Sequence, residues 1–168
     1  MIQVTHLTKR YGSRTAVPAE FHLGYALPSA VLGLAQGILT MGAVWLLSVL
    51  RGEGLSFAGC MGAVLCGVPT MVFSIGLGVL LGSLLSSKAA PGISSAIISA
   101  ASLLGGCWMD AALLGEGFET ACLLLPWYPA VRMGRAMLQG GGFHPADLAV
   151  TCLWALLAHM VCCCRRKN

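Results

Sequence analysis

Charge is what this sequence has least of. Ten Lys/Arg and six Asp/Glu make up 10% of 168 residues, too few for the charged shell that a soluble domain of this size needs. Residues 28–50, 54–87 and 89–109 carry none at all. The net charge is only +4 and the basic residues do not form one patch, so there is no footprint for nucleic acid. No G-x-x-x-x-G-K-[ST] occurs anywhere, so the chain lacks the backbone cradle and lysine that would hold a nucleotide's phosphates. What is present is apolar surface: 57% hydrophobic residues and a mean hydropathy of +0.83. Several stretches reach the roughly 20 apolar residues that cross a bilayer. The composition implies an all-α integral membrane protein in contact with the lipid bilayer.

Eight cysteines do not read as a disulfide framework, because Cys60, Cys66 and Cys152 fall inside apolar stretches, where thiols act as small hydrophobes. A Cys107–Cys122 pair on the outer side is the one conceivable bridge. His159, Cys162 and Cys163 share one helical face at i, i+3, i+4. A soft metal could use that spacing, but one helix offers few compatible ligands, so packing beside a polar cap is the plainer reading. Cys162-Cys163-Cys164 beside Arg165-Arg166-Lys167 also has the look of a juxtamembrane acylation site. No residue is assigned a catalytic, cofactor-binding or metal-binding role, and an enzyme is not expected.

The pattern divides into residues 1–17, polar and mixed, without the apolar core of a secretory leader; residues 18–27, a linker or interfacial segment; residues 28–164, the membrane domain; and residues 165–168, a basic cytosolic tail. Within 1–17, alternation at Ile2, Val4 and His6 and the turn Tyr11-Gly12-Ser13 suit a strand and hairpin. Four spans are expected. The first is 28–50, with Pro28 in its opening turn. The second is about 57–85, where Pro69 is the expected kink. The third is about 90–109 and the last about 146–164. Between the third and last, Asp110, Glu116, Glu119, Arg132 and Arg135 interrupt the apolar pattern, and 121–126 is too short to cross. Short re-entrant or interfacial helices on the outer side are expected there, and a joint at Gly140-Gly141-Gly142. Asp147 suits the cap and dipole of the last helix.

Basic residues set the orientation. With both termini cytosolic, Lys9, Arg10, Arg14, Lys88 and Arg165–Lys167 lie inside, against Arg51, Arg132 and Arg135 outside. Gly33-x-x-x-Gly37, Gly78-x-x-x-Gly82 and Ser95-x-x-x-Ser99 put small residues one turn apart, which lets helices approach closely in lipid. Packing within one bundle is the plainer use, and a homodimer seam at Gly33/Gly37 the sharper one.

Two runs carry a family resemblance. Gly76-Leu77-Gly78 through Ser86-Ser87-Lys88, then Ser102–Asp110, then Leu125-Pro126-Trp127-Tyr128-Pro129 and an arginine-containing helix at 132–138 are similar in order and spacing to the C-terminal half of a type-2 ABC exporter permease. The likeness covers about 28–143. It implies a multi-pass subunit of the cell (plasma) membrane that forms or gates a translocation path. Such a subunit works with a second permease subunit or half and with partner ABC ATPase subunits that use the ATP, and this chain would bind no cofactor of its own. Leu7-Thr8-Lys9, Tyr11-Gly12 and Ala16-Val17 resemble the first strand of an ABC ATPase, in which the aromatic at Tyr11 would stack on adenine. The missing phosphate loop makes that stub a relic. The other reading open at this point is a non-transporting membrane fragment of a rearranged ATPase–permease operon.

Overall fold

The computed structural model describes residues 19–86 and 88–165. The strand and hairpin expected within residues 1–17, Tyr11, Ser87 and most of the basic tail lie outside them. The described residues form helices and their connections, with no strand: α1 (Ala19–Arg51), α2 (Phe57–Leu84), α3 (Ala90–Leu104), a short 3-10 turn (Ala111–Leu114), α4 (Glu116–Leu123), α5 (Trp127–Leu138) and α6 (Pro145–Arg165). Three are long and apolar enough to cross a membrane, over Gly24–Arg51, Phe57–Leu84 and Pro145–Cys164.

Two expectations change at the helix ends. Residues 19–27, expected as a linker or interfacial segment, are helical, since α1 begins at Ala19, and Pro28 lies inside the helix rather than in its opening turn. A proline there removes only the N–H that would have reached the Gly24 carbonyl, and the helix runs on through the gap. The stretch 90–109 does not form one long helix either. α3 stops at Leu104 after 15 residues, a rise of about 22 Å, where Gly105 and Gly106 (φ +70°) turn the chain. By itself α3 is shorter than a hydrocarbon core of about 30 Å. Pro69 does sit inside α2, and α2 is continuous through it.

The α1–α2 connection is a tight turn. Gly52 and Gly54 both take positive φ, the Ser48 hydroxyl accepts from the Leu55 N–H at 3.0 Å, and Ser56 caps α2 by accepting from the Gly59 N–H. α1 then runs antiparallel to α2. Gly33 faces Met71, Gly37 faces Val64, and Trp45 meets Phe57 edge to face at 5.5 Å. The Gly33/Gly37 motif therefore serves packing within the bundle. Gly78 and Gly82 have no neighbour at the position of an added Cβ, and Ser95 and Ser99 are exposed.

α6 runs parallel to α2. Phe73 meets Trp154 at 5.8 Å, Gly76 lies against Ala158, and the Cys162 thiol reaches the Gly76 carbonyl at 3.6 Å. The N-terminal end of α1 and the C-terminal ends of α2 and α6 consequently share one end of the bundle. α2 is the central helix, with α1, α5 and α6 around it. The best-buried side chains gather about α5 and its neighbours: Met133, Pro126, Pro129, Thr151, Cys60 and Cys122. A short helix thus occupies the middle of the fold, while Ser48, near the C-terminal end of α1, is the one buried side chain among the described residues of that helix.

Candidate functional site

The site is the hairpin formed by α4 and α5 and the groove beside it. Its tip, Leu124-Leu125-Pro126, is fixed on two sides. The Thr70 hydroxyl, at the middle of α2, donates to the Pro126 carbonyl at 3.1 Å. The Trp154 indole N–H, at the middle of α6, donates to the Leu124 carbonyl at 2.7 Å. Leu124 lies in the turn between two short helices, where no continuing helix supplies a donor to its carbonyl, while Pro126 caps α5 and its carbonyl gains a second donor from outside the helix. Side chains from the two long helices reach both carbonyls. Phe73 lies edge to face between Trp127 and Trp154, at 5.9 and 5.8 Å, and ties the tip to both.

From this tip α5 rises toward the N-terminal end of α2. Gly59 shows how close the approach is: a Cβ there would stand 2.7 Å from the Met137 carbonyl oxygen. The 12 residues of α5, about 18 Å of helix, thus run from the midpoint of α2 to its N-terminal end.

The polar residues of the hairpin are paired above the tip. Arg132 grips Asp147 with both arms of its guanidinium, Nε to Oδ2 at 2.9 Å and Nη2 to Oδ1 at 2.6 Å. Asp147 is buried, in the first turn of α6, so this bond joins α5 to α6. The capping and dipole role expected of Asp147 captures its place in the helix and misses its partner. Arg135 donates to Asp110 at 2.9 Å and to the Gly106 carbonyl at 2.8 Å, which joins α5 to the chain leaving α3. The Tyr128 hydroxyl lies 2.9 Å from Asp110 and 3.4 Å from Glu119; with one proton to give, the shorter contact to Asp110 is its bond. Gly106 makes room for this, since its positive φ suits glycine and the Tyr128 ring lies 3.1 Å from where a Cβ would sit.

The Tyr128 hydroxyl, then the Ala112 N–H and the Arg135 guanidinium, hold the Asp110 carboxyl below the ordinary carboxylate range. Tyr128, Arg132 and Arg135 fall at i, i+4 and i+7, one face of α5. That spacing was the available sequence signal for the cluster; its acidic partners come from three separate segments and leave no local pattern.

Beside the hairpin lies a groove of about 630 Å³ between α2, α3 and α5, with Met41 of α1 at its edge. Its walls include Met71, Ile98, Trp127 and Val131. The small residues Gly67 and Gly134 create the room, and Arg135 is the charged residue on its rim. The volume falls within the range of small-molecule pockets.

The other sequence candidates do not assemble into sites. Among the described residues no three His, Cys, Asp or Glu side chains converge as a metal site, so His159, Cys162 and Cys163 form none. Cys107 is exposed, Cys122 is fully buried under Tyr128, and both are free thiols. Cys163 and Cys164 are exposed at the end of α6. Comparison with known proteins found no matching family model, no matching curated protein and no matching solved structure.

Proposed function

We propose that this chain is a membrane-embedded subunit of an ATP-driven exporter of the type-2 ABC kind, in which the α4–α5 hairpin gates a path beside α2. The observation that carries the reading is the attachment of the hairpin tip to the midpoints of two helices long enough to span a bilayer. With α2 and α6 across the membrane, Leu124-Leu125-Pro126 lies near mid-depth, and the hairpin is re-entrant. Non-helical backbone at that depth is tolerated only where protein covers it or a wet cavity adjoins it. Here Thr70 and Trp154 satisfy the turn, and the groove adjoins it.

On this reading the fourth crossing is composite. α3 fills one half of the membrane thickness, the α4–α5 hairpin fills the other, and the groove lies where they meet. Its apolar walls suit an apolar or amphipathic solute better than an ion. The Arg132–Asp147 and Arg135–Asp110 pairs hold the hairpin from its outer edge, where a partner's movement of α6 or α3 would reach it. Both termini lie in the cytosol and the hairpin opens outward, following the basic residues. Hydrolysis belongs to separate ATPase subunits, because this chain has no phosphate loop, and a second permease subunit or half completes the path.

The test is affinity purification of the full chain from its native membrane, then reconstitution in liposomes with ATP. Co-purification of an ABC ATPase whose turnover rises with the chain present supports the reading. Failure to bind any ATPase overturns it, and the fragment of a rearranged operon then stands.

A further inference from the structure

The hydroxyls of the groove beside the hairpin are all committed in the same sense. Thr70 and Ser74, one turn apart on α2, and Ser102, near the end of α3, line its walls. Each gives its proton to a backbone carbonyl: Thr70 to Pro126, Ser74 to Thr70 at 2.8 Å, and Ser102 to Ile98 at 2.9 Å. A hydroxyl has one proton and two lone pairs, so what these oxygens still offer is acceptance. An ether or a ketone would have to break one of those bonds to use them. A molecule that brings its own donor breaks none.

Charge narrows the class further. No carboxylate lines the groove to hold a cation, and the lone pairs of the hydroxyls oppose an anion. Arg135, the charged residue on the rim, is already matched by Asp110. It belongs to α5, where the neighbouring Gly134 lies against Ala63, whereas Ser74 lies beyond Thr70 in the other direction along α2. The N–H donors of the walls, on Arg135 and Trp127, are thus on α5, and the acceptors are on α2 and α3. The groove also continues. A second one of about 370 Å³, between α1 and α2, shares Met41, Ala63, Gly67 and Met71 with it. The two form one track across the face of α2, bordered at the join by unbranched, flexible thioethers. Such a track suits a flexible hydrocarbon chain better than a rigid block.

We propose that this track binds a neutral long-chain amphiphile whose head donates a hydrogen bond, as a hydroxyl does. The head sits among Thr70, Ser74 and Ser102, and the chain runs past Met41 and Met71. The proposal names the solute class of the transport reading, and it rests on that reading only in taking the groove as a place that a solute occupies.

The experiment is photolabelling of the full chain in phosphatidylcholine vesicles with two diazirine probes, a long-chain primary alcohol and its methyl ether. Mass spectrometry locates the labelled residues. Leu156 and Met160, exposed on α6, report the concentration of each probe in the bilayer, so the ratio of labelling at Met71 and Trp127 to labelling on α6 cancels their different partitioning. On that ratio the alcohol is expected to exceed the ether about fivefold, as one net hydrogen bond implies. The double variant Ser74→Ala, Ser102→Ala should remove most of the excess. Both hydroxyls bond only within their own helices, so helix content by circular dichroism should match wild type. Equal ratios for the two probes on wild type, a comparison that needs no variant, overturn the proposal. An excess that the folded double variant retains also overturns it. A chain that favours the alcohol and binds no ATPase would sink the transport reading and leave this site standing. An ATPase-bound chain that treats both probes alike would do the reverse.

Discussion

The two sides of α2 are built differently. Toward α5 and α6 it presents Gly59, Thr70, Phe73 and Gly76, each meeting a backbone or side chain at close range. On that side lie the buried Asp147, Met133 and Thr151, and every bond between the hairpin and a long helix. Toward α1 the contact is one of thioether, valine and glycine, with a Trp45–Phe57 ring pair beside the turn, and among the described residues no hydrogen bond joins the two helices outside their connecting turn. α3 is looser still, with no buried residue. In lipid, apolar surface alone gives little drive to associate, so packing and hydrogen bonds decide which helices hold together. The α2–α5–α6 side is the fixed frame. α1 and α3 are the elements free to take other neighbours.

Substitutions can break this contrast, and the largest effect is expected at the buried ion pair. Asp147→Leu strands the Arg132 guanidinium beside α6. Removing one partner of a fully buried pair costs about 3–5 kcal/mol, and the partial exposure of Arg132 places this one near or below the lower end, read as a fall in thermal unfolding temperature in detergent. Gly59→Ala comes next, because the added methyl meets a carbonyl oxygen rather than a flexible side chain; a loss of about 1–3 kcal/mol is expected. Its counterparts Gly78→Ala and Gly82→Ala meet nothing and should be neutral or gain up to about 1 kcal/mol from helix propensity. Equal losses at Gly59 and Gly82 would erase the contrast. Trp154→Phe keeps the ring contact with Phe73 and deletes the bond to the hairpin tip, for about 1 kcal/mol.

The smallest effects are electrostatic. Tyr128→Phe should delete one of the bonds that hold down the carboxyl of Asp110. Its folded pKa is depressed, so its contribution is present above the ordinary carboxylate value of about 4 and disappears as pH falls through the lowered one. Acid unfolding of Asp110→Asn should lack that component.

Much of the frame was legible from residues alone. Apolar length marked α1, α2 and α6, and the broken pattern after Asp110 marked short helices there. The boundaries depart from the pattern in opposite ways at two breakers: Pro28 does not start α1, because a helix passes a proline at the loss of one bond, and Met109 does not end α3, because two glycines stop it earlier. Within the site, Asp147 was placed on its helix while its pairing with Arg132 stayed hidden. Such a pair is set by how α5 crosses α6, and helical periodicity carries no information on which helices cross. The same holds for Trp154, whose indole looks like any apolar-span aromatic until its acceptor at Leu124 is seen.

The central claim is that the hairpin tip lies at the mid-depth of the bilayer. It is tested most directly with a spin label at Leu124, an exposed side chain at the tip, in a variant whose exposed cysteines are serine. Power saturation with oxygen and a water-soluble nickel chelate then gives the depth, with Leu113 on the 3-10 turn as the shallow reference. The account predicts high oxygen and low nickel accessibility at 124, at a depth matching a label at the middle of α6, and interfacial values at 113. Nickel accessibility at 124 equal to that at 113 would place the whole hairpin at the surface and contradict it.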